Sequence, residues 1–327
     1  MSRRRLNMAT NWLALGIATL LVLTAPVQAK EFVFEQQRVF AVGDDPALEL
    51  SLFEGNVEVT SHPVDRIVVT IRKRVNAVGM DEARLLAENV VVKVDRERSV
   101  VSLNTSVLKR KSEDRSFWNR LFGGGDDDPY GAVDFEIMVP DRCRVKVTSN
   151  AGRVYIANVA GEVQVQSSAA EVELNTIEGP MTINNASGKT IGELLFGPVT
   201  VDQPMGEIVL NWVEGDVRVK SSSARISIKQ ETGAVDLKTV TGSVDIQTNL
   251  ASARDMFVTT ESGDIHMRIP ELSSGKLEIS SELGDIKTDM PIAIRTMSGK
   301  KLVGEFGDGG VTVYLTSSTG DVTVAQF

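Results

Sequence analysis

Read in groups of nine residues from Gly152 to Thr241, the chain runs GRVYIANVA, GEVQVQSSA, AEVELNTIE, GPMTINNAS, GKTIGELLF, GPVTVDQPM, GEIVLNWVE, GDVRVKSSS, ARISIKQET and GAVDLKTVT. A glycine or an alanine opens every group, and the series continues at Gly242. Aliphatic residues fill the third and fifth places of almost every group, as at Val217 and Val219. Glycine reaches positive φ without steric cost and therefore suits tight turns. The pattern predicts short β-strands joined by turns.

Side chains alternate between the two faces of a strand. The third and fifth places of each group are therefore predicted to point into a dry interior, and the second, fourth and sixth places are predicted to point outward. One group breaks the pattern, because Thr190 and Gly192 fall at the interior places and Ile191 is displaced by one.

A second period sets the way in which the strands connect. The residue two places before each turn is apolar in one group and small or polar in the next, as in Val159 and Ser168. The true repeat is therefore 18 residues, with two strands in each coil. We predict an all-β, β-helix-like solenoid whose coils are about 4.8 Å apart, preceded by a smaller β region with one short helix.

Four segments are expected along the chain. Residues 1–29 have the basic start, apolar stretch and small residues of a signal peptide, and the arginines also suit the twin-arginine export route. Residues 30–108 form an N-terminal β region that includes a helix over Asp81–Glu88, with Asp81 as its N-cap. Residues 109–131 form a flexible insertion rich in charge and glycine. Residues 132–327 form the β-strand-repeat domain. No later segment is apolar enough to cross a membrane.

The charge and the cysteine content exclude several classes of protein. Removal of the signal peptide changes the formal net charge from −9 to −12, since that segment carries three arginines and no acid. An acidic surface repels the phosphates of nucleic acid. Cys143 is the only cysteine and cannot form an internal disulfide, so we expect it to be buried rather than to link two chains.

The repeat resembles a bacterial family of exported β-strand-repeat proteins, known as putative adhesins and as a domain of unknown function. The likeness lies in the lead-in Phe135–Pro140, in the run from Val145 to Val163 and in the closing Ser318–Val322. The resemblance implies a β-helix-like fold, a location in the cell envelope or on the surface, and no catalytic residues.

Neither catalysis nor a bound cofactor is predicted. The two histidines, His62 and His266, are far apart in sequence and are expected to be exposed, which argues against a nucleophilic triad or a zinc site. The acidic run 126–128 and the Gly-Asp turns lack the dense glycine pattern of calcium-binding β-rolls. The aspartates of those turns are expected to bind their own local backbone.

The insertion contains the most unusual local feature of the chain. Phe117, Trp118, Leu121 and Phe122 would share one face of a helix. They are candidates for contact with a membrane surface or a partner protein, and the alternative is that the insertion covers an open end of the solenoid.

We therefore expect an exported, non-catalytic protein that acts by binding or by structural interaction in the cell envelope. Its partner would be an envelope protein or a surface glycan, and the sequence does not specify an oligomeric state. Two alternatives stay open: a glycan-active or glycan-binding β-helix, and a regulatory sensor of envelope stress. Outward-facing aromatic residues, which sugar-binding surfaces use, are almost absent from the regular repeat apart from Tyr155.

Overall fold

The structure is a computed structural model that describes residues 29–107, 132–251 and 254–327. The predicted signal peptide, apart from Ala29, and almost all of the predicted insertion lie outside the described residues. Within the described residues, no helix has both the length and the hydropathy that a membrane crossing requires.

The described residues up to Pro140 form seven strands and one helix. In chain order they are β1 (Lys30–Ala41), β2 (Ala47–Glu54), β3 (Val57–His62), β4 (Arg66–Ala77), α1 (Met80–Asn89), β5 (Val90–Glu97), β6 (Val100–Val107) and β7 (Val133–Pro140).

The regular repeat forms the central strands. They are β8 (Arg144–Ala160), β9 (Val163–Glu178), β10 (Met181–Asn185), β11 (Lys189–Phe196), β12 (Val199–Asp202), β13 (Met205–Glu214), β14 (Val217–Lys220), β15 (Ser223–Thr232), β16 (Val235–Lys238) and β17 (Val244–Thr248).

The described residues after Arg254 add eight more strands. They are β18 (Met256–Thr260), β19 (Ile265–Ile269), β20 (Gly275–Ser281), β21 (Ile286–Thr288), β22 (Ala293–Ser298), β23 (Lys301–Phe306), β24 (Thr312–Ser317) and β25 (Val322–Gln326).

The central strands wind into a parallel solenoid, as predicted. Val163 pairs with Val145 and with Met181, and Val217 pairs with Val199 and with Val235, so each coil is displaced from the next by 18 residues. One long face of the solenoid, the front sheet, contains the first half of β8 and of β9, then β10, β12, β14, β16 and β18. The other face, the back sheet, contains the second half of β8 and of β9, then β11, β13, β15, β17 and β19.

The aliphatic pairs of successive coils meet between the two sheets. Val154, Ile156, Val217 and Val219 are each at most 1% exposed, so their methyl groups form one continuous dry seam. This interior confirms the inward places predicted from the nine-residue groups.

The group after Gly188 keeps the same register, and the expected displacement of Ile191 is wrong. Thr190 can be buried at an inward place because its hydroxyl donates a hydrogen bond to Gln203 Oε1 at 2.6 Å. Gly192 is buried because Leu195 Cδ1 lies 2.6 Å from the place that a Cβ would take, and Ile191 faces outward and is half-buried.

At both ends of the solenoid the spatial order of the coils departs from chain order. The coil of β2 and β3 lies between β8 and the coil of β6 and β7. The C-terminal coil of β24 and β25 lies between the coil of β18 and β19 and the coil of β20 and β21. The last strands of the chain are therefore internal to the stack.

Antiparallel strands and one helix cover the two ends. At the N-terminal end, β4 pairs with β7 and β1, β5 pairs with β6, and α1 packs Ala83 and Ala87 against Val75 and Ala77. At the C-terminal end, β23 pairs with β20, and β22 then pairs with β23.

The helix lies where the sequence predicted it, but the prediction of Asp81 as its N-cap is wrong. Gly79 is the N-cap, and Asp81 lies in the first turn. The carboxylate of Glu82 accepts a hydrogen bond from the backbone N–H of Val78 at 3.0 Å, so Glu82 satisfies an N–H just before the helix while Asp81 adds negative charge near the positive end of the helix dipole.

Candidate functional site

The candidate site is a row of outward-facing side chains that crosses four strands of the front sheet. The strand register places Arg218 beside Asp236, Asp236 beside Phe257, and Phe257 beside Tyr314. Thr200 extends the row on the other side of Arg218. Neighbouring strands are about 4.8 Å apart, so each side chain stands next to a partner from another coil.

Two aromatic rings make this row unlike the rest of the front sheet. The ring centroids of Phe257 and Tyr314 are 4.9 Å apart and their planes differ by 1°. Phe257 is 45% exposed, whereas Tyr314 is half-buried. Stacking of this kind adds about 0.5–1.5 kcal/mol beyond the buried area, so each ring holds the other upright on the sheet.

A cleft of about 460 Å³ lies on the side of Phe257 away from Tyr314. Pro198 and Ala234, whose side chains are short, line it together with the longer Arg218 and Phe257. The volume falls within the range of about 300–1,000 Å³ that small-molecule sites occupy. Its full lining is Pro198, Val199, Thr200, Asp216, Val217, Arg218, Ala234, Val235, Asp236, Arg254, Asp255 and Phe257.

Charges of both signs surround the cleft and are paired with one another. Arg218 Nε is 3.4 Å from Asp236 Oδ2, and a terminal nitrogen of Arg254 contacts Asp216 Oδ2. Asp216 also accepts the backbone N–H of Ala234 at 2.9 Å. The pairs orient donors and acceptors side by side, an arrangement that suits a ligand able both to donate and to accept hydrogen bonds.

The structure does not test the contact residues predicted in the insertion. Phe117, Trp118, Leu121 and Phe122 lie outside the described residues, and so does the acidic run 126–128. The flanking strands β6 and β7 belong to a coil at the N-terminal end of the stack, next to the antiparallel strands.

The two histidines and the cysteine have different surroundings. His266 is exposed on the back sheet, as expected, but His62 is half-buried at the end of β3, with Nε2 2.9 Å from the carbonyl oxygen of Arg66. Cys143 is 2% exposed, and burial raises the pKa of its thiol to about 12. The thiol is therefore protonated at neutral pH and is neither a nucleophile nor a ready metal ligand. Among the described residues, no three His, Cys, Asp or Glu side chains form a group that could hold a metal ion.

The aspartates that follow turn glycines act on neighbouring coils rather than on their own local backbone. Asp264 accepts the backbone N–H of Asp321 at 2.8 Å, and Asp321 accepts that of Asp285 at 2.8 Å. The N–H of Asp285 lowers the pKa of the Asp321 carboxyl. These carboxylates therefore link coils, and the expected local hydrogen bond is a misassignment.

The nine-residue pattern did not predict the aromatic pair. Phe257 stands between Met256 and Val258, and Tyr314 between Val313 and Leu315, a parity that signals an outward ring in both strands. Phe257 and Tyr314 lie in the irregular part of the repeat, and the exposed Phe53 and Trp212 also lie outside the outward places of the nine-residue groups. The pairing of the two rings depends on insertion of the C-terminal coil beside β18, which no local pattern reveals.

Comparisons with known proteins give a family and several solved structures of low identity. A structure described as a putative cell adhesion protein from Clostridium sporogenes is 11% identical, covers 92% of this chain and 100% of its own, and has a TM-score of 0.22. A putative adhesin from Bacteroides fragilis is 11% identical, with coverage of 90% and 97% and a TM-score of 0.38. A putative adhesin from Parabacteroides distasonis is 8% identical, with coverage of 90% and 97% and a TM-score of 0.27.

No curated protein matches the chain. The profile of the Toastrack DUF4097 family matches residues 111–325, which is most of the chain and includes every residue that lines the front-sheet cleft. The resemblance seen in the repeat is thereby confirmed, and this protein belongs to the Toastrack DUF4097 family.

Proposed function

We propose that this protein is an exported, non-catalytic, adhesin-like binding protein of the bacterial cell envelope, and that the front-sheet cleft is its contact site. The cleft carries the proposal. It is a built depression with an exposed aromatic wall and paired charges, and the outward side chains of the front sheet from β8 to β16 are polar.

The lining chemistry supports binding rather than turnover. Thr200 supplies the one side-chain hydroxyl of the described lining, which contains no histidine or cysteine. A hydroxyl or thiol nucleophile with an adjacent histidine base, one usual means of covalent catalysis, is therefore not assembled among these residues. The carboxylates of Asp216 and Asp255 each accept a backbone N–H, from Ala234 and Thr312 respectively.

The insertion is a second proposed contact. The insertion joins β6 to β7, and both of these strands already have partners on each side: β6 pairs with β2 and β5, and β7 pairs with β3 and β4. That coil therefore has no free edge for the insertion to cover, which favours docking to a membrane surface or partner protein as the role of Phe117, Trp118, Leu121 and Phe122.

The test measures how much of the full-length protein stays with the envelope fraction of lysed cells. Replacement of both Arg218 and Phe257 by alanine should lower retention at least threefold, because the cleft loses its aromatic wall and one charged pair. The control variant replaces Lys146 and Gln164, outward residues of the same sheet, and should be retained like the parent. Equal retention of both variants would refute the cleft as the contact site.

Deletion of residues 112–127 tests the second contact. Unchanged melting temperature with reduced retention is the expected result, and aggregation of the purified variant would instead support a capping role.

Incubation of the parent protein with peptidoglycan should release no new reducing ends, and their appearance would contradict a non-catalytic role.

A further inference from the structure

The cleft beside Phe257 has the features of a site for a hydroxyl-rich, uncharged ligand. One ring face of Phe257 stacks on Tyr314, and the other is turned toward the strand of Asp236 and the cleft. The aspartate side chain is shorter than the phenylalanine ring, which is 45% exposed. A flat apolar surface therefore stands at the wall of a polar depression.

The existing pairing of the charged groups argues against an ionic ligand. Both guanidinium groups of the lining, those of Arg218 and Arg254, are paired with the carboxylates of Asp236 and Asp216. The third carboxylate, that of Asp255, accepts the backbone N–H of Thr312 at 2.8 Å. An ionic ligand of either sign would therefore compete with these partners and would meet groups of its own charge beside them.

A neutral ligand with many hydroxyl groups fits the same surroundings. A hydroxyl donates one hydrogen bond and accepts others, so it can bridge a carboxylate such as Asp236 and a guanidinium such as Arg218, whose paired atoms are 3.4 Å apart. The C–H groups on a sugar ring are apolar and pack on an aromatic face, while the hydroxyls at the ring edge reach polar neighbours.

We infer that the cleft binds a neutral saccharide, with one sugar ring against the free face of Phe257 and its hydroxyls between Arg218 and Asp236. The inference rests on the proposed binding function and names its ligand class. The row from Thr200 to Phe257 covers three strand spacings, or about 14 Å. This length suits an oligosaccharide rather than a single sugar.

Saturation-transfer NMR on the full-length protein tests the inference with three neutral tetrasaccharides: β-1,4-linked N-acetylglucosamine, β-1,4-linked glucose and α-1,4-linked glucose. At least one should receive saturation from the protein. Phe257→Ala should lower the affinity for that saccharide at least fivefold, because the stacking surface is lost. Asp236→Asn, which keeps the shape of the side chain and removes its charge, should lower the affinity less.

The matched control is Phe53→Ala, since Phe53 is 62% exposed and lies on β2, far from the cleft in the stack. The affinity of the Phe53→Ala protein for the same saccharide should stay within twofold of that of the parent protein. The inference is wrong if no tetrasaccharide receives saturation, or if Phe257→Ala binds as well as the control. Envelope retention that still depends on the cleft would then leave the proposed function standing, whereas loss of both readouts would overturn both.

Discussion

At the scale of the residue, glycine is required at the corners of the coils for two reasons. Gly179 has φ of +137°, a region that L side chains rarely adopt. A Cβ there would also lie 2.5 Å from the carbonyl oxygen of Gly161, the corner residue of the preceding coil. The same relation joins Gly197 to Gly179 and Gly215 to Gly197, so the corner glycines form a ladder in which each backbone packs on the next.

Gly179→Ala should therefore destabilise the protein by at least about 2 kcal/mol, the sum of left-handed strain and backbone overlap. The urea midpoint of unfolding measures the effect. Gly299→Ala is the control, because a Cβ at that position has no neighbour within 4 Å. A Gly179→Ala midpoint equal to that of the control would show that the ladder does not require glycine.

At the scale of the element, each strand places aliphatic residues in the seam and polar residues in solvent. Four successive coils also each have one non-glycine residue with left-handed backbone, which adds strain. These residues have φ between 53° and 58° and are Asn158, Thr176, Leu194 and Trp212. These residues recur every 18 positions, three before each corner glycine. Left-handed backbone costs about 1–2 kcal/mol per residue, so the aliphatic seam must offset strain that is repeated coil after coil.

Val217→Asp should cost at least about 3 kcal/mol, because it buries a carboxylate in the seam without a partner. Val217 is 1% exposed and lies between Val199 and Val235. Gln166→Asp adds the same charge at an exposed place on β9 and should change little. Thermal unfolding and protease resistance report the difference, and a Val217→Asp protein as resistant as the parent would disprove the interior seam.

At the scale of the whole molecule, the C-terminal coil is an inserted layer. β24 pairs with both β18 and β20, and β25 pairs with both β19 and β21. The β18–β24 pairing joins residues that are 57 positions apart, as Phe257 and Tyr314 are. The candidate site depends on that long-range pairing, since Tyr314 stacks on Phe257.

Deletion of residues 312–327 should therefore destabilise the strands on both sides of the C-terminal coil. Hydrogen exchange should show lost protection in β18, β19 and β20, because each loses a strand partner, and unchanged protection in β10 and β12. In a solenoid stacked in chain order, removal of the last coil would expose only the coil before it. Full protection of β20 in the deletion variant would contradict the inserted position.

The sequence by itself determined the repeat, the inward and outward places and the 18-residue coil of two strands. These follow from local rules: a two-residue alternation, a nine-residue spacing of turns and the freedom of glycine. The same rules indicated the outward places of Phe257 and Tyr314, although not their contact. Only the tertiary structure decided the order of the coils at the two ends, and with it the stacked rings and the cleft. The physical reason is that every parallel strand edge offers similar hydrogen bonds and the same aliphatic seam, so nothing local to β24 specifies which strands it joins.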